Sequence, residues 1–101
     1  MSGVNQPYRY QYETVAASQT AQVLGGTGAT GDYLHRLIVN VTTPATGTVT
    51  LIDGATSIAL VPATTAAGAY SVAIEARSAT GSWKVTTGAG ASVMAVGIFS
   101  A

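Results

Sequence analysis

The side chains of this chain that favour burial recur at every second position, in runs too short to be anything but strands. Tyr8, Tyr10 and Tyr12 alternate with Arg9, Gln11 and Glu13, and Leu37, Val39 and Val41 alternate with Ile38, Asn40 and Thr42. The same pattern returns in Val49 and Leu51, in Tyr70, Val72 and Ile74, in Trp83 and Val85, and in Val93, Ala95, Gly97 and Phe99. A period of two sends successive side chains to opposite faces of an extended backbone, whereas a helix would scatter these residues around its circumference. No window carries the helical period. Glycine, proline and Asp-Gly signals separate the runs, giving about eight short strands at roughly 8 to 12 residue spacing, the signature of an all-β sandwich or barrel.

In chain order, residues Met1 to Pro7 read as a flexible lead, and Tyr8 to Val15 as an extended segment with its tyrosines on one face. The division expected is an N-terminal arm over residues 1–16 and a single β-sandwich domain over 17–101. Ala21 to Leu24 is a second, short strand, and the glycine-rich stretch Gly25 to Asp32 is a loop. Tyr33 to Thr42 has the strongest β character and is expected to be central. Thr48 to Asp53 and Thr56 to Val61 form a hairpin around Asp53-Gly54, a dipeptide suited to positive φ. Tyr70 to Glu75, Ser82 to Thr86 and Ser92 to Ser100 complete the set. The last of these is apolar on both faces, so both should be covered, inside the domain or against a neighbouring subunit. Eight strands in two Greek keys make a jelly roll, and the absence of Cys landmarks argues against an immunoglobulin-like arrangement.

Composition narrows the function. Of 101 residues, 48% are hydrophobic and only 8% are charged, and the net charge is zero. Soluble domains usually carry about 25% charged residues. Four basic residues do not make the basic footprint of a nucleic-acid binder, and no apolar run approaches the roughly 20 residues that cross a bilayer. No secretory signal is legible after Met1, where Arg9 and Glu13 interrupt any apolar stretch. There is no Cys, so thiolate metal sites and thiol catalysis are excluded. High hydrophobicity without net charge is also the reverse of a disordered composition. A soluble, packed β domain that hides part of its surface in an assembly is the expectation.

The motifs with chemical meaning have plainer readings. Gly26-Thr27-Gly28-Ala29-Thr30-Gly31 matches the dinucleotide-binding pattern, with Asp53 downstream, but that pattern needs a following helix whose amides face the pyrophosphate, and a β run follows instead. No Lys follows the glycines, so the P-loop fails too. His35 lacks the second ligand or nucleophile that metal or triad chemistry requires, and Asp32 is its nearest acid. Glu13, Asp32, Asp53 and Glu75 lie on separate segments, so a paired-carboxylate mechanism is not indicated. Asn40-Val41-Thr42 fits the glycosylation triplet but sits mid-strand. Trp83 reads first as a packing anchor and second as a sugar platform. No catalytic, cofactor or metal residues are assigned. Tyr8, Tyr10 and Tyr12 are the candidate interface, because aromatic residues concentrate at binding hot spots and a terminal strand can join a neighbour's sheet.

A small Cys-free chain of Ala, Thr and Gly, with a polar and aromatic N-terminal segment and stretches such as Gly47-Thr48-Val49-Thr50-Leu51-Ile52-Asp53-Gly54 and Gly81-Ser82-Trp83-Lys84-Val85-Thr86, resembles the small head decoration or cement proteins of tailed bacteriophages. The resemblance implies a structural virion protein, made in the host cytoplasm and carried on the capsid exterior. There a homo-oligomer, trimer or dimer, would bridge adjacent capsomers of the major capsid protein against internal DNA pressure. It implies no enzyme activity and no cofactor. The alternative is a carbohydrate- or receptor-binding β module of a phage fibre or tail, using Trp83 and the tyrosines.

Overall fold

Eight strands form among the described residues, and one rule governs their pairing: the chain behaves as a long hairpin folded at its middle and then rolled up. The computed structural model describes residues 10–26 and 28–100. The strands are β1 (Gln11–Val15), β2 (Gln22–Val23), β3 (Tyr33–Val41), β4 (Val49–Asp53), β5 (Thr56–Val61), β6 (Gly68–Arg77), β7 (Trp83–Thr87) and β8 (Ala91–Ile98), with one 3-10 turn at Pro44–Thr46. At the fold of the hairpin, Asp53 pairs with Thr56 across a two-residue turn, where Gly54 has φ +60°. A side chain there would be strained. Outward from that turn β4 pairs with β5, β3 with β6, β2 with β7 and β1 with β8, all antiparallel. Rolling brings β8 beside β3 and β7 beside β4, which closes two four-stranded sheets of order β1-β8-β3-β6 and β2-β7-β4-β5. This is a jelly-roll sandwich.

The core lies between the sheets. Leu34, Leu37, Val39 and Val41 of β3, Val49 and Leu51 of β4, Val85 of β7 and Val93 and Ala95 of β8 are buried there. The alternation expected for β3, β4, β6, β7 and β8 is the alternation observed. Trp83 is only 4% exposed, and its indole N–H donates to the backbone oxygen of Asp32 at 2.9 Å. It is a core anchor and cannot present a ring face to a sugar.

Two differences from the expected strands have physical causes. Residues 11–15 of the expected arm are an edge strand of the first sheet, with Val15 fully buried opposite Val93. Tyr8 and the rest of residues 1–9 lie outside the described residues. The second difference is a pair of bulges. Leu34 and Arg36 face the adjacent residues Gly97 and Val96 of β8, so His35 is an extra residue on β3. Across the other edge of β3, β6 carries an extra residue of its own, and Glu75 there adopts φ +52°. A bulge re-aims the side chains that follow it. Here it lets Leu34 and Leu37, three residues apart, both enter the core, and it turns His35 and Arg36 toward the opposite side.

Candidate functional site

The outer faces of the two sheets differ in character. On the β2-β7-β4-β5 sheet the outward residues include Thr50, Ile52, Ser57, Lys84 and Thr86, and the glycine loop lies over Val23. A Cβ placed on Gly28 would come within 2.2 Å of Val23 Cγ1, so glycine permits the loop's close approach, and β3 rather than a helix follows it. The dinucleotide-like pattern is therefore a packing device.

On the β1-β8-β3-β6 sheet, the registers align outward side chains in rows across the strands. Ile98, Tyr33 and Arg77 form one row, and Tyr10, next to Gln11 of the pair Gln11 and Gly97, borders it. Tyr12, Val96, Arg36 and Ala73 form the next, then Thr14, Met94, Ile38 and Ser71, then Ser92, Asn40 and Ala69. Tyr12 is 71% exposed, Tyr10 45% and Ile98 37%, while Val96, Met94 and Ile38 are half-buried among them. This is the second apolar face of β8 anticipated from its sequence. None of the described residues covers it.

One corner of this face is aromatic. The Tyr10 and His35 rings stack with centroids 4.6 Å apart and planes 14° apart, and Tyr33 lies 6.1 Å from His35 with its hydroxyl 3.3 Å from Nδ1. Burial pushes the Tyr33 phenol above its ordinary range, the neighbouring Tyr10 and Glu75 add to this, and Arg77 opposes it. Tyr10, Tyr33, Ile98 and Arg77 line an open cleft of about 260 Å³. The bulge at His35 builds the corner, since regular alternation would not turn both His35 and Arg36 outward.

The acidic residues do other work. Glu13 accepts from the Gln22 amide group at 3.0 Å and from the Gly25 N–H at 2.7 Å. Asp53 accepts from the N–H groups of Ala79, Thr80 and Gly81 at 3.0 to 3.3 Å. Asp32 accepts from the Ser100 N–H at 3.0 Å, the Ser100 hydroxyl at 2.7 Å and the Ala29 N–H at 3.3 Å. Burial raises the Asp32 and Asp53 carboxyls, but these donors outweigh it and hold both below the usual carboxylate range. Each carboxylate fastens a loop or the end of a strand.

The structure thus places two of the sequence-predicted interface residues, Tyr10 and Tyr12, on one exposed face, and Tyr8 lies outside the described residues. The sequence reading missed Tyr33, His35 and Arg77 as their neighbours. The available signal was the three-residue spacing of Leu34 and Leu37, which marks the bulge. Among the described residues no three His, Cys, Asp or Glu side chains gather as a metal centre requires, and no helix is long and apolar enough to cross a membrane. What the face offers is aromatic and aliphatic area for contact. No family model, curated protein or solved structure matches this chain.

Proposed function

We propose that this is a structural, non-enzymatic protein that acts by assembly, decorating a phage capsid and bridging adjacent capsomers of the major capsid protein as a homo-oligomer. The observation that carries the reading is the outer face of the β1-β8-β3-β6 sheet, which no described residue covers, with Tyr10, Tyr12 and Ile98 exposed around Val96, Met94 and Ile38. Large exposed apolar patches mark interaction sites, and interface cores are poor in charge and rich in aromatic residues. A clamp of this kind needs stiff sheets and weak contacts multiplied over many identical sites. The capsid setting rests on the resemblance to decoration proteins. Electron microscopy of the parent particle is the test: density for this sandwich at capsomer junctions supports the proposal, and its placement in a tail fibre, or off the particle, refutes it.

A second reading, carbohydrate binding on a fibre or tail, draws support from the stacked Tyr10 and His35 rings beside Arg77. Trp83 takes no part in it. Glycan-array binding that Tyr10→Ala abolishes would put this reading first.

A further inference from the structure

We infer that the outer face of the β1-β8-β3-β6 sheet is the interface between two copies of this chain, packed face to face about a two-fold axis that runs parallel to the strands. This deepens the assembly reading and rests on it.

Shape selects the partner. Along most of the face side-chain size is lopsided: the β1 edge presents the exposed Tyr12, with Tyr10 laid over the sheet against His35, while the β6 edge presents Ala69, Ser71 and Ala73, all small and exposed, and carries its larger residues, Glu75 and Arg77, at one end. A two-fold axis parallel to the strands, between β8 and β3, places the β1 edge of each copy on the β6 edge of the other. The protruding Tyr12 of each copy then meets the small residues of the other. Tyr12 faces the partner's Ala73, Thr14 faces the partner's Ser71, and Met94 and Val96 meet Ile38 and the stem of Arg36 in the middle. An axis perpendicular to the strands would instead seat tyrosines on the partner's β1 and leave a gap between the two alanine strips. Isologous contacts of this sort require a surface complementary to itself, and a surface raised at Tyr12 on one edge and low along most of the other meets that condition.

Charge agrees. The chain has no net charge, so two copies approach without long-range repulsion. The same axis brings Tyr10 of one copy toward Arg77 of the other, at the corner where Arg77 already borders the aromatic cleft, an arrangement suited to a cation–π contact. Arg36 is held along its own sheet by a hydrogen bond to the Ser71 hydroxyl.

Size is adequate as well. With strands about 4.8 Å apart and about 3.3 Å per residue, four strands and the eight residues of β8 give a footprint of about 19 by 26 Å. That is about 500 Å² per copy and about 1,000 Å² in all, the lower bound for a specific interface. A dimer held by this face alone is therefore expected to be weak and concentration-dependent.

The chain has no native Cys, so thiol cross-linking is clean. The two sheets would lie about 10 Å apart, and positions on β1 and β6 of one copy are about 14 Å apart, three strand spacings. With a bis-maleimide spanning that separation of about 10 Å, the double variant Thr14→Cys with Ser71→Cys, which keeps both tyrosines, is expected to yield a covalent dimer at least tenfold more than either single variant. Tyr12→Cys with Ala73→Cys, at a protein concentration raised to offset the lost ring, serves if the first pair alters the thermal transition. Light scattering after size exclusion, over a hundredfold range of concentration, is run on the unmodified chain. Oligomers with efficient linking of the folded double variant support the inference. Oligomers without it, or an equal yield of dimer from the β1 single variant alone, overturn this interface and leave the assembly reading standing. A monomer throughout the range overturns both.

Discussion

Asp32 ties several segments of the fold to a single charge, and its removal makes a quantitative test. The carboxylate receives the Ser100 amide and hydroxyl and the Ala29 amide, while the backbone oxygen of the same residue receives the Trp83 indole and the Ser78 N–H. Asp32→Ala deletes the first set and keeps the second. A hydrogen bond to a charged group contributes about 1.5 to 3 kcal/mol. The Ala29 contact, at 3.3 Å, is the weakest of the three, and Ser100 is half-buried, so water can partly replace what is lost. About 2 kcal/mol remains as the expected loss, from two good bonds at the low end of that range with part recovered by hydration. In a domain of this size that lowers Tm by about 8 to 16 °C. Trp83, the one tryptophan of the chain and buried, reports unfolding by its fluorescence.

The pH dependence makes the test sharper. The folded carboxyl lies below its unfolded value, which is about 3.9. Its contribution is complete above the unfolded value and is lost as pH falls through the folded one. The stability gap between the native chain and Asp32→Ala should therefore be constant from pH 7 to about 5 and shrink below about 4. Asp53 titrates in both proteins and drops out of the difference. A gap that stays the same down to pH 2.5, or one smaller than about 0.5 kcal/mol at pH 7, the scatter of ordinary surface changes, would refute the account of Asp32 as a charged fastening.

Leu37→Ala, in the middle of β3 and fully buried, should cost about 3 kcal/mol by urea denaturation with an unchanged m value. Gly97→Ala places a Cβ 2.2 Å from the backbone oxygen of Tyr33, so β3 and β8 must part. A loss of about 2 to 3 kcal/mol is expected, and a change below about 0.5 would contradict the close approach. Trp83→Phe removes the indole donor but leaves the Asp32 carbonyl its Ser78 partner, so about 1 kcal/mol should be lost in thermal unfolding. Tyr12→Ala, by contrast, should leave stability within about 0.5 kcal/mol and weaken self-association in sedimentation equilibrium.

Strand faces were legible from the sequence because one side of each sheet is buried, and a one-residue slip would expose a whole core row. Val93, Ala95, Gly97 and Phe99 against Met94, Val96 and Ile98 is such a case: the first set is buried as expected, whereas the second faces outward, where no described residue supplies the expected cover. The hairpin turn was legible from Gly54, which takes the positive φ, but its two residues are Gly54 and Ala55, one position later than the Asp53-Gly54 pair, and Asp53 is the last paired residue of β4. Asp53 itself has a larger part than the turn requires, since its carboxylate gathers three amides from residues 79–81. That contact joins segments distant in sequence, and no local pattern announces it. The same holds for the corner of Tyr10, Tyr33, His35 and Arg77, which depends on matching bulges in β3 and β6. Period-two reading assumes no extra residue, so it places His35 and Arg36 on opposite sides. Of the tyrosine stripe, Tyr10 and Tyr12 share an exposed face and Tyr8 lies outside the described residues, while residues 11–15 of the expected arm are a strand of the sandwich.

The nested pairing also fixes an order of construction. As the chain is synthesised, the middle hairpin of β4 and β5 has its partner at once, whereas Gln11 must wait for Gly97. If each pairing forms on the one inside it, every new closure spans a short gap and the entropy of a long loop is never met in one step. The roll then zips from its bend toward its ends. Until β8 emerges, Tyr12 belongs to an unpaired strand, so the sandwich closes only once β8 has been made, and a nascent chain stalled before it would expose a ready template for aggregation.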